Sequence, residues 1–488
     1  MPSLKRNKVE MTVIADDKFH DECGLMAVWN HEEAANLTYL GLYSQQHRGQ
    51  EGAGVVAVSR NGDDDPTFCV HKGLGLVADV FGNFDFAKLP GTVAIGHVRY
   101  TTAGGNRLAN VQPFVADIAL GHTAVAHNGN LINADELRRD LIERGSIFAS
   151  SSDTEVILHL LANGDVTKPI IESVIAALHR IKGAFSLLLL FEDRMVAVRD
   201  PFGLRPLAMG QLDGAHIFAS ETCAFDLIGA QYVRDVQPGE LVEVLKDGSI
   251  KSYFPFGVSR EAPCIFEFVY FARPDSNVFG KNVYTLRKNM GAELAREAAV
   301  TADLVTAVPD SGVAAAIGYA ETAKIPLEMG LVRNHYVGRT FIEPKQSIRD
   351  FGVKIKLNAN AAVLRGKSII VVDDSIVRGT TSKKLVAMLR SAGAREVHLR
   401  ISSPPTTDPC YYGIDTPDKA ELIAANSSVE EIARFIGVDS LAYLSLEGLY
   451  RAVESTPGKF CDACFSGNYP AGTPVSISSK KQRQLFPV

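Results

Sequence analysis

No apolar run in this 488-residue chain reaches the length needed to span a bilayer. The apolar patch Met11–Ala15 follows Lys5, Arg6 and Lys8, but it is too short for the core of a signal peptide. A long basic run is missing too. With 50 Lys and Arg against 56 Asp and Glu, the net charge is −6, which argues against a general nucleic-acid binder. Cysteine is sparse, and its seven copies are an odd number scattered along the chain. That makes a poor disulfide framework and suits a reducing cytoplasm. Internal repeats and low-complexity segments are absent. At 46% hydrophobic and 22% charged, the composition is that of an ordinary soluble globular protein. The length is too great for one core, so two or three domains are expected.

The most informative segment is 367–382, KSIIVVDDSIVRGTTS. The β-branched run Ser368–Val372 predicts a buried parallel strand. It ends in two carboxylates, Asp373 and Asp374. A turn of small residues follows, then a helix with Leu385, Met388, Leu389 and Ala392 on one face and Gly393 as its stop. Such a turn and helix N-terminus make an anion cradle, with N–H groups and the helix dipole facing a phosphate. Two acids there would repel an anion, unless they hold ribose hydroxyls or Mg²⁺ on the same ligand. Val308–Gly312, VPDSG, also ends a strand and opens a helix, so it is a second cradle, though weak alone.

Residues 1–22 are polar and without periodicity, and read as a tail or propeptide that starts at Met1 or Met11. From 23 to 250, strand candidates dominate: Cys23–Trp29, Gly54–Ser59, Val93–Val98, Ala119–Ala126, Ser186–Phe191, Met195–Val198 and Leu241–Val244. Helical patterns fall at Ala34–Gln46, Asp153–Leu161 and Ile170–Arg180. This predicts stacked sheets covered by helices. After residue 264 the rhythm becomes βαβ: strand Leu304–Val308, helix Val313–Ala323, strand Ser368–Val372, helix Ser382–Ala392, strand Val397–Ser402. That predicts a parallel, doubly wound sheet. The boundary is expected within Tyr253–Pro263. The division is then 1–22, 23–255, 256–455, and a C-terminal segment 456–488.

Five features stand in order in the first half. They are Cys23 in HDECGLMAVW, QQHRGQEGAG (Gln45–Gly54), GHVRYTTAG (Gly96–Gly104), AHNGNL (Ala126–Leu131) and SSDTE (Ser151–Glu155). Together they resemble the glutaminase domain of N-terminal-nucleophile amidotransferases. Singly, Asn128–Gly129 would be a hairpin turn and Asp153 a helix N-cap. The resemblance implies that Cys23 becomes residue one and uses its own α-amine as base, since that group titrates near neutrality. It implies Asn128 and the Gly129 N–H as oxyanion hole, Arg99 on the glutamine carboxylate and Asp153 on its ammonium.

The segment 367–382 resembles the phosphoribosyl pyrophosphate (PRPP) motif of type I phosphoribosyltransferases. The resemblance places the 5′-phosphate on Ser375, Ile376, Val377, Arg378, Gly379, Thr380 and Thr381, and the ribose hydroxyls on Asp373 and Asp374. Mg²⁺ would sit with Asp373, Asp374 and Ser311. VRNHYVGRTF, with Arg333, Tyr336, Arg339 and Thr340, looks like the family's closing loop, whose closure excludes water.

Cys461 and Cys464 form CxxC, while Cys264 and Cys410 are solitary. By spacing alone these could bind zinc, an iron–sulfur cluster or nothing. CIFEFVYFARPDS, SSPPTTDPCYYGID and the CxxC match the 4Fe–4S-bearing branch of glutamine PRPP amidotransferases, which implies a structural 4Fe–4S cluster on those four. Cys69 and Cys223 are expected as packed thiols. From residue 23 to about 467 the chain resembles that family. The resemblance implies an N-terminal-nucleophile αββα sandwich followed by a phosphoribosyltransferase sheet. It further implies glutamine and PRPP as substrates, feedback by purine nucleotides, a homo-oligomer (a tetramer) and a cytoplasmic location. Other glutaminases, such as glucosamine-phosphate or asparagine synthases, share the first half but not VVDDSIVRGTTS. Repressors built on the phosphoribosyltransferase fold need a DNA-reading element and a basic face, which are missing.

Overall fold

Alternating apolar strands between Gly24 and Tyr253 pair into two antiparallel sheets. The computed structural model describes residues 23–59, 66–100, 107–257, 260–334 and 357–474. The first sheet runs, edge to edge, Gln231–Asp235, Ala208–Leu212, Ala215–Ala219, Gly24–Trp29, Val93–Arg99, Gly52–Ser59 and Thr67–Leu74. The second runs Ile250–Tyr253, Leu241–Leu245, Arg194–Arg199, Gly183–Leu190, Gly121–Leu131 and Phe114–Ile118.

Side chains alternate across each strand, which sorts the layers. Leu25, Ala27 and Trp29 pack between the sheets with Leu188, Leu190, Val242 and Val244. Met26 and Val28 face outward against helix Ala34–Ser44. Leu187 and Leu189 face outward against helices Ala134–Glu143, Thr154–Ala162 and Ile170–Leu178. The result is the αββα sandwich.

Tyr253 ends the second sheet, and from Cys264 the chain enters a different core. Its centre is a parallel sheet in the order Leu304–Ala307, Ser368–Asp373, Glu396–Ile401, Ser440–Tyr443. Ile370 and Val372 share a core with helices Val283–Glu297 and Val313–Ala323. Ile369 and Val371 pack on the other face with helices Thr380–Ser391 and Val429–Ile436. Burial on both faces explains why this strand reads as a continuous apolar run.

Several expectations shift. The strand predicted at Ala119–Ala126 is Gly121–Leu131, because pairing with Gly183–Leu190 carries it through Asn128 and Gly129. The hairpin-turn alternative for those two residues therefore falls. Helix Thr380–Ser391 starts two residues earlier than predicted. Helix Val283–Glu297 was not foreseen. It is capped by Asn282, whose side chain accepts from the Thr285 N–H at 3.1 Å. Cys223 is buried as expected, whereas Cys69 is only half-buried on a sheet-edge strand.

Candidate active site

Cys23 immediately precedes strand Gly24–Trp29, and its neighbour Gly24 pairs with Val98, one residue before Arg99. The Cys23 side chain is buried, and its Sγ lies 3.7 Å from the Tyr100 carbonyl. Burial pushes the thiol up to about 11. Arg99 and Arg48 pull it down, and Asp153 pushes it up. The pocket thus gathers two charges at the cysteine: Arg99, from the end of strand Val93–Arg99, and Asp153, from the start of helix Thr154–Ala162.

Asp153 does not cap the helix that it precedes. Its Oδ2 accepts from the Leu131 N–H at 2.9 Å, which fastens it to the Asn128 strand. Asn128 Nδ2 donates to Ser220 Oγ at 3.5 Å, and that hydroxyl accepts from the Leu25 N–H at 3.0 Å. Gly129 has φ 145°, and a β-carbon there would stand 2.1 Å from the Ala184 carbonyl oxygen. Only glycine fits that place in the strand.

The second group lies at the carboxyl ends of two adjacent parallel strands, where open α/β sheets bind ligands. Asp373 ends one strand and Asp374 follows it, and Ser375 Oγ donates to Asp374 Oδ1 at 2.5 Å. Ile376 and Val377 are core side chains, so only their backbone can face a ligand. Arg378 donates to Glu421 at 2.9 Å. Gly379 takes φ 76° and opens helix Thr380–Ser391 with no side-chain cap of its own. The Val308–Gly312 loop abuts this motif: the Val308 N–H donates to Val372 O at 2.9 Å. Its Asp310 carboxylate meets Arg333 Nη1. Arg333 therefore reaches the loop that carries Ser311. Tyr336, Arg339 and Thr340 lie outside the described residues, as do 1–22 and 101–104.

Cys264, Cys410, Cys461 and Cys464 line one cavity with Arg205, Tyr412 and Tyr469. Three of the four cysteines are buried. Burial pushes the Cys264 thiol up to about 11 and raises Cys461 and Cys464 as well.

The model of a glutamine amidotransferase domain matches residues 99–226. An amidophosphoribosyltransferase of Arabidopsis thaliana, a chloroplastic one, is 53% identical over 459 residues, 93% of this chain and 85% of the relative. That of Bacillus subtilis (strain 168) is 50% identical over 458 residues, 92% of this chain and 94% of the relative. The chain belongs to the amidophosphoribosyltransferase family. A solved structure of the allosteric regulatory enzyme of purine biosynthesis covers 93% of this chain and 98% of its own, with TM-score 0.87 at 49% identity. The Bacillus subtilis amidotransferase complexed with ADP and GMP covers 92% of this chain and 98% of its own, with TM-score 0.86 at 49% identity.

Within this amidophosphoribosyltransferase frame, the structure adds residues that sequence reading gave no role. Arg48 Nε donates to the Cys23 carbonyl at 3.1 Å, and Gln45 Nε2 donates to the Leu25 carbonyl at 3.0 Å. Both sit in the QQHRGQEGAG motif. Glu221 and Ser220 come from a segment that carried no motif at all. No helix among the described residues is long and apolar enough to cross a membrane.

Proposed function

We propose that this chain hydrolyses glutamine at Cys23 and passes the ammonia to PRPP, giving 5-phosphoribosylamine, glutamate and pyrophosphate. The observation that carries this reading is the buried Cys23 with its carbonyl held by Arg48 at 3.1 Å, its neighbour Gly24 paired beside Arg99, and Asp153 fastened at Leu131, all three charges acting on the thiol. Glutamine, an α-amino acid with a side-chain amide, would set its carboxylate on Arg99 and its ammonium on Asp153.

A thiol held near 11 is protonated at neutral pH, and among the described residues the charges acting on it are two guanidinium groups and a carboxylate. None of these has a base matched to that work. Loss of residues 1–22 would supply one, the α-amine of Cys23 itself. The amine takes the thiol proton as sulfur attacks the amide carbon. Asn128 Nδ2 and the Gly129 N–H receive the charge that grows on oxygen. The tetrahedral centre collapses to a thioester as ammonia leaves with the proton. Water then releases glutamate and restores the thiol.

At the second site, the N–H groups from Ser375 to Thr381 cradle the 5′-phosphate, and Asp373 and Asp374 hold the ribose hydroxyls. Ammonia forms the bond to the anomeric carbon as the bond to pyrophosphate breaks. Ser311, Asp373 and Asp374 offer oxygen donors, which suit Mg²⁺ completed by substrate phosphates; bound there, it would neutralise charge on the leaving group. Arg333, beside Asp310, adds positive charge, and Tyr336 would belong to the closing loop.

The four-cysteine cavity supports a 4Fe–4S cluster. All four donors are thiols, as such clusters require. The cluster's role would be structural, tying the C-terminal segment to the body. Purine nucleotides share the ribose 5-phosphate of PRPP and would compete for the Ser375–Thr381 cradle. An unchanged rate with AMP, GMP and ADP at millimolar levels would exclude that. A cytoplasmic homo-oligomer, a tetramer by family, completes the reading.

The deciding experiment uses both nitrogen donors. Cys23→Ala should abolish synthesis from glutamine and retain synthesis from ammonia at high concentration. Retained glutamine-dependent synthesis would overturn the assignment. Mass spectrometry of the native protein reports the mature N-terminus and the bound iron together.

A further inference from the structure

Arg48 is fully buried and holds the Cys23 carbonyl. It is itself held by two carboxylates. Nη1 donates to Glu221 Oε1 at 2.6 Å and to Glu267 Oε2 at 3.0 Å, and Nη2 donates to Glu267 Oε1 at 2.7 Å. Glu221 belongs to the same half as Cys23. Glu267 does not: it lies three residues after Cys264, in the turn Glu267–Phe271 of the other half. Its Oε1 also accepts from Arg205 Nη1 at 3.4 Å, and Arg205 Nε donates to the Tyr412 carbonyl at 2.8 Å.

All four charged side chains are buried, two cations and two anions. An array of this kind is expensive to desolvate, and well-packed apolar side chains would join the halves at least as firmly. Its distinctive product is geometric. A residue that starts its chain has one peptide link, so the group that clamps its carbonyl also sets where its amine and thiol point. Burial works against the Arg48 charge, yet Glu267 and Glu221 outweigh it and hold the guanidinium above its ordinary pKa.

We propose that Glu267 is a positioning residue for the Cys23 nucleophile: a carboxylate from the phosphoribosyltransferase half that orients Arg48, and through it residue 23. This rests on the reading of Cys23 as nucleophile.

The test compares Glu267→Gln, Glu267→Asp and Cys23→Ala in the full, processed enzyme. Gln keeps the shape and one acceptor oxygen but loses the charge. Glutamine hydrolysis should fall in kcat by about tenfold to a hundredfold, the loss that misplacement of a reacting group gives. KM for glutamine should hold, because Arg99 and Asp153 are untouched. Synthesis from ammonia should also hold. The pH profile adds a readout that a merely structural role would not move. Cys23 faces Arg99, Asp153 and Arg48; Arg48 faces Glu221 and Glu267, and Glu221 also faces His47. Removing one anion leaves Arg48 under-balanced. The added positive potential favours a neutral amine and a thiolate, so the acidic limb of kcat/KM for glutamine should move to lower pH. Glu267→Asp keeps the charge at shorter reach. It should lose kcat with the limb unmoved, and it serves if the Gln variant fails to fold. A wild-type kcat and pH limb in Glu267→Gln overturns the proposal. So does a parallel loss of glutamine and ammonia activities in both variants, which would mean general damage at the junction. A Cys23→Ala enzyme that still hydrolyses glutamine would instead overturn the nucleophile reading beneath it.

Discussion

Gly413 lies flat against Gly129: a β-carbon on Gly413 would stand 3.1 Å from the Gly129 carbonyl carbon. The first glycine belongs to the loop that carries Cys410, the second to the strand proposed to hold the oxyanion. Asn130 Nδ2 reinforces the contact by donating to the Tyr411 carbonyl at 3.0 Å. The wall behind this strand is thus built by the second half of the chain.

Gly413→Ala should therefore injure glutamine hydrolysis more than ammonia-dependent synthesis. The residue has φ 112°, and the added methyl meets backbone that has no room to yield. Strain of about 1–3 kcal/mol is expected. Denaturant unfolding checks that cost, and assays with each donor check the asymmetry. Equal losses with both donors would mean that the contact only stabilises.

The cysteine cavity makes a chemical prediction. Protein purified without oxygen should be brown and carry about four irons per chain. Cys461→Ser should reduce folded yield more than the specific activity of what folds, because these thiols take no part in either proposed reaction. Zinc in place of iron, or a colourless enzyme of full activity, would contradict this.

Acid should destabilise the fold in a defined window. Burial pushes His97 from 6.5 down to about 3, with Arg99 and His127 adding to it against the bond to the His127 carbonyl. The folded state keeps this ring neutral, while the unfolded chain protonates it first. Its contribution is fully present above about 6.5 and is lost as pH falls from there towards 3, by about 1.4 kcal/mol per pH unit. His97→Gln keeps a donor for that carbonyl and removes the titration. Its unfolding free energy should fall less steeply between pH 7 and pH 5. An unchanged slope would show that other groups govern acid unfolding.

The sequence revealed the site unevenly, and the reason is physical. The Asp373–Thr381 turn was legible because its chemistry is local: a strand, a cradle and a helix start within sixteen residues. Asn128 and Asp153 were legible only as members of an ordered set. Alone, each had a commoner meaning that long-range pairing overrules. Glu267, Glu221 and Arg205 were invisible, because a buried charge is identified by partners that lie 62, 173 or 219 positions away in sequence. Helix Val283–Glu297 was missed for a related reason. Its buried face includes Arg287 and Gly291, which break the apolar periodicity that marks a helix.

Arg287 carries the last prediction. It is buried, and its guanidinium donates to the Phe268 and Ala272 carbonyls, both at 2.8 Å. The first carbonyl lies in the turn that presents Glu267 and the second just after it. Burial lowers Arg287 to about 10, and the foremost charge opposing that fall is Asp374 of the PRPP motif. Arg287 thus holds the backbone around Glu267 while Asp374 acts on its charge across space, and Glu267 in turn holds Arg48 at the Cys23 carbonyl. Asp373→Ala with Asp374→Ala should abolish synthesis from either nitrogen donor. It should also lower glutamine hydrolysis measured without PRPP, by roughly threefold to tenfold, since one such charge interaction is worth about 1 kcal/mol. Asp374→Asn separates charge from shape and should reproduce most of that fall. If glutamine hydrolysis without PRPP matches wild type in Asp374→Asn, Arg287 holds the turn unaided and the two sites communicate only through substrate. If it falls, the phosphate-site acid sets the resting geometry of the nucleophile, and the two halves are coupled before either substrate arrives.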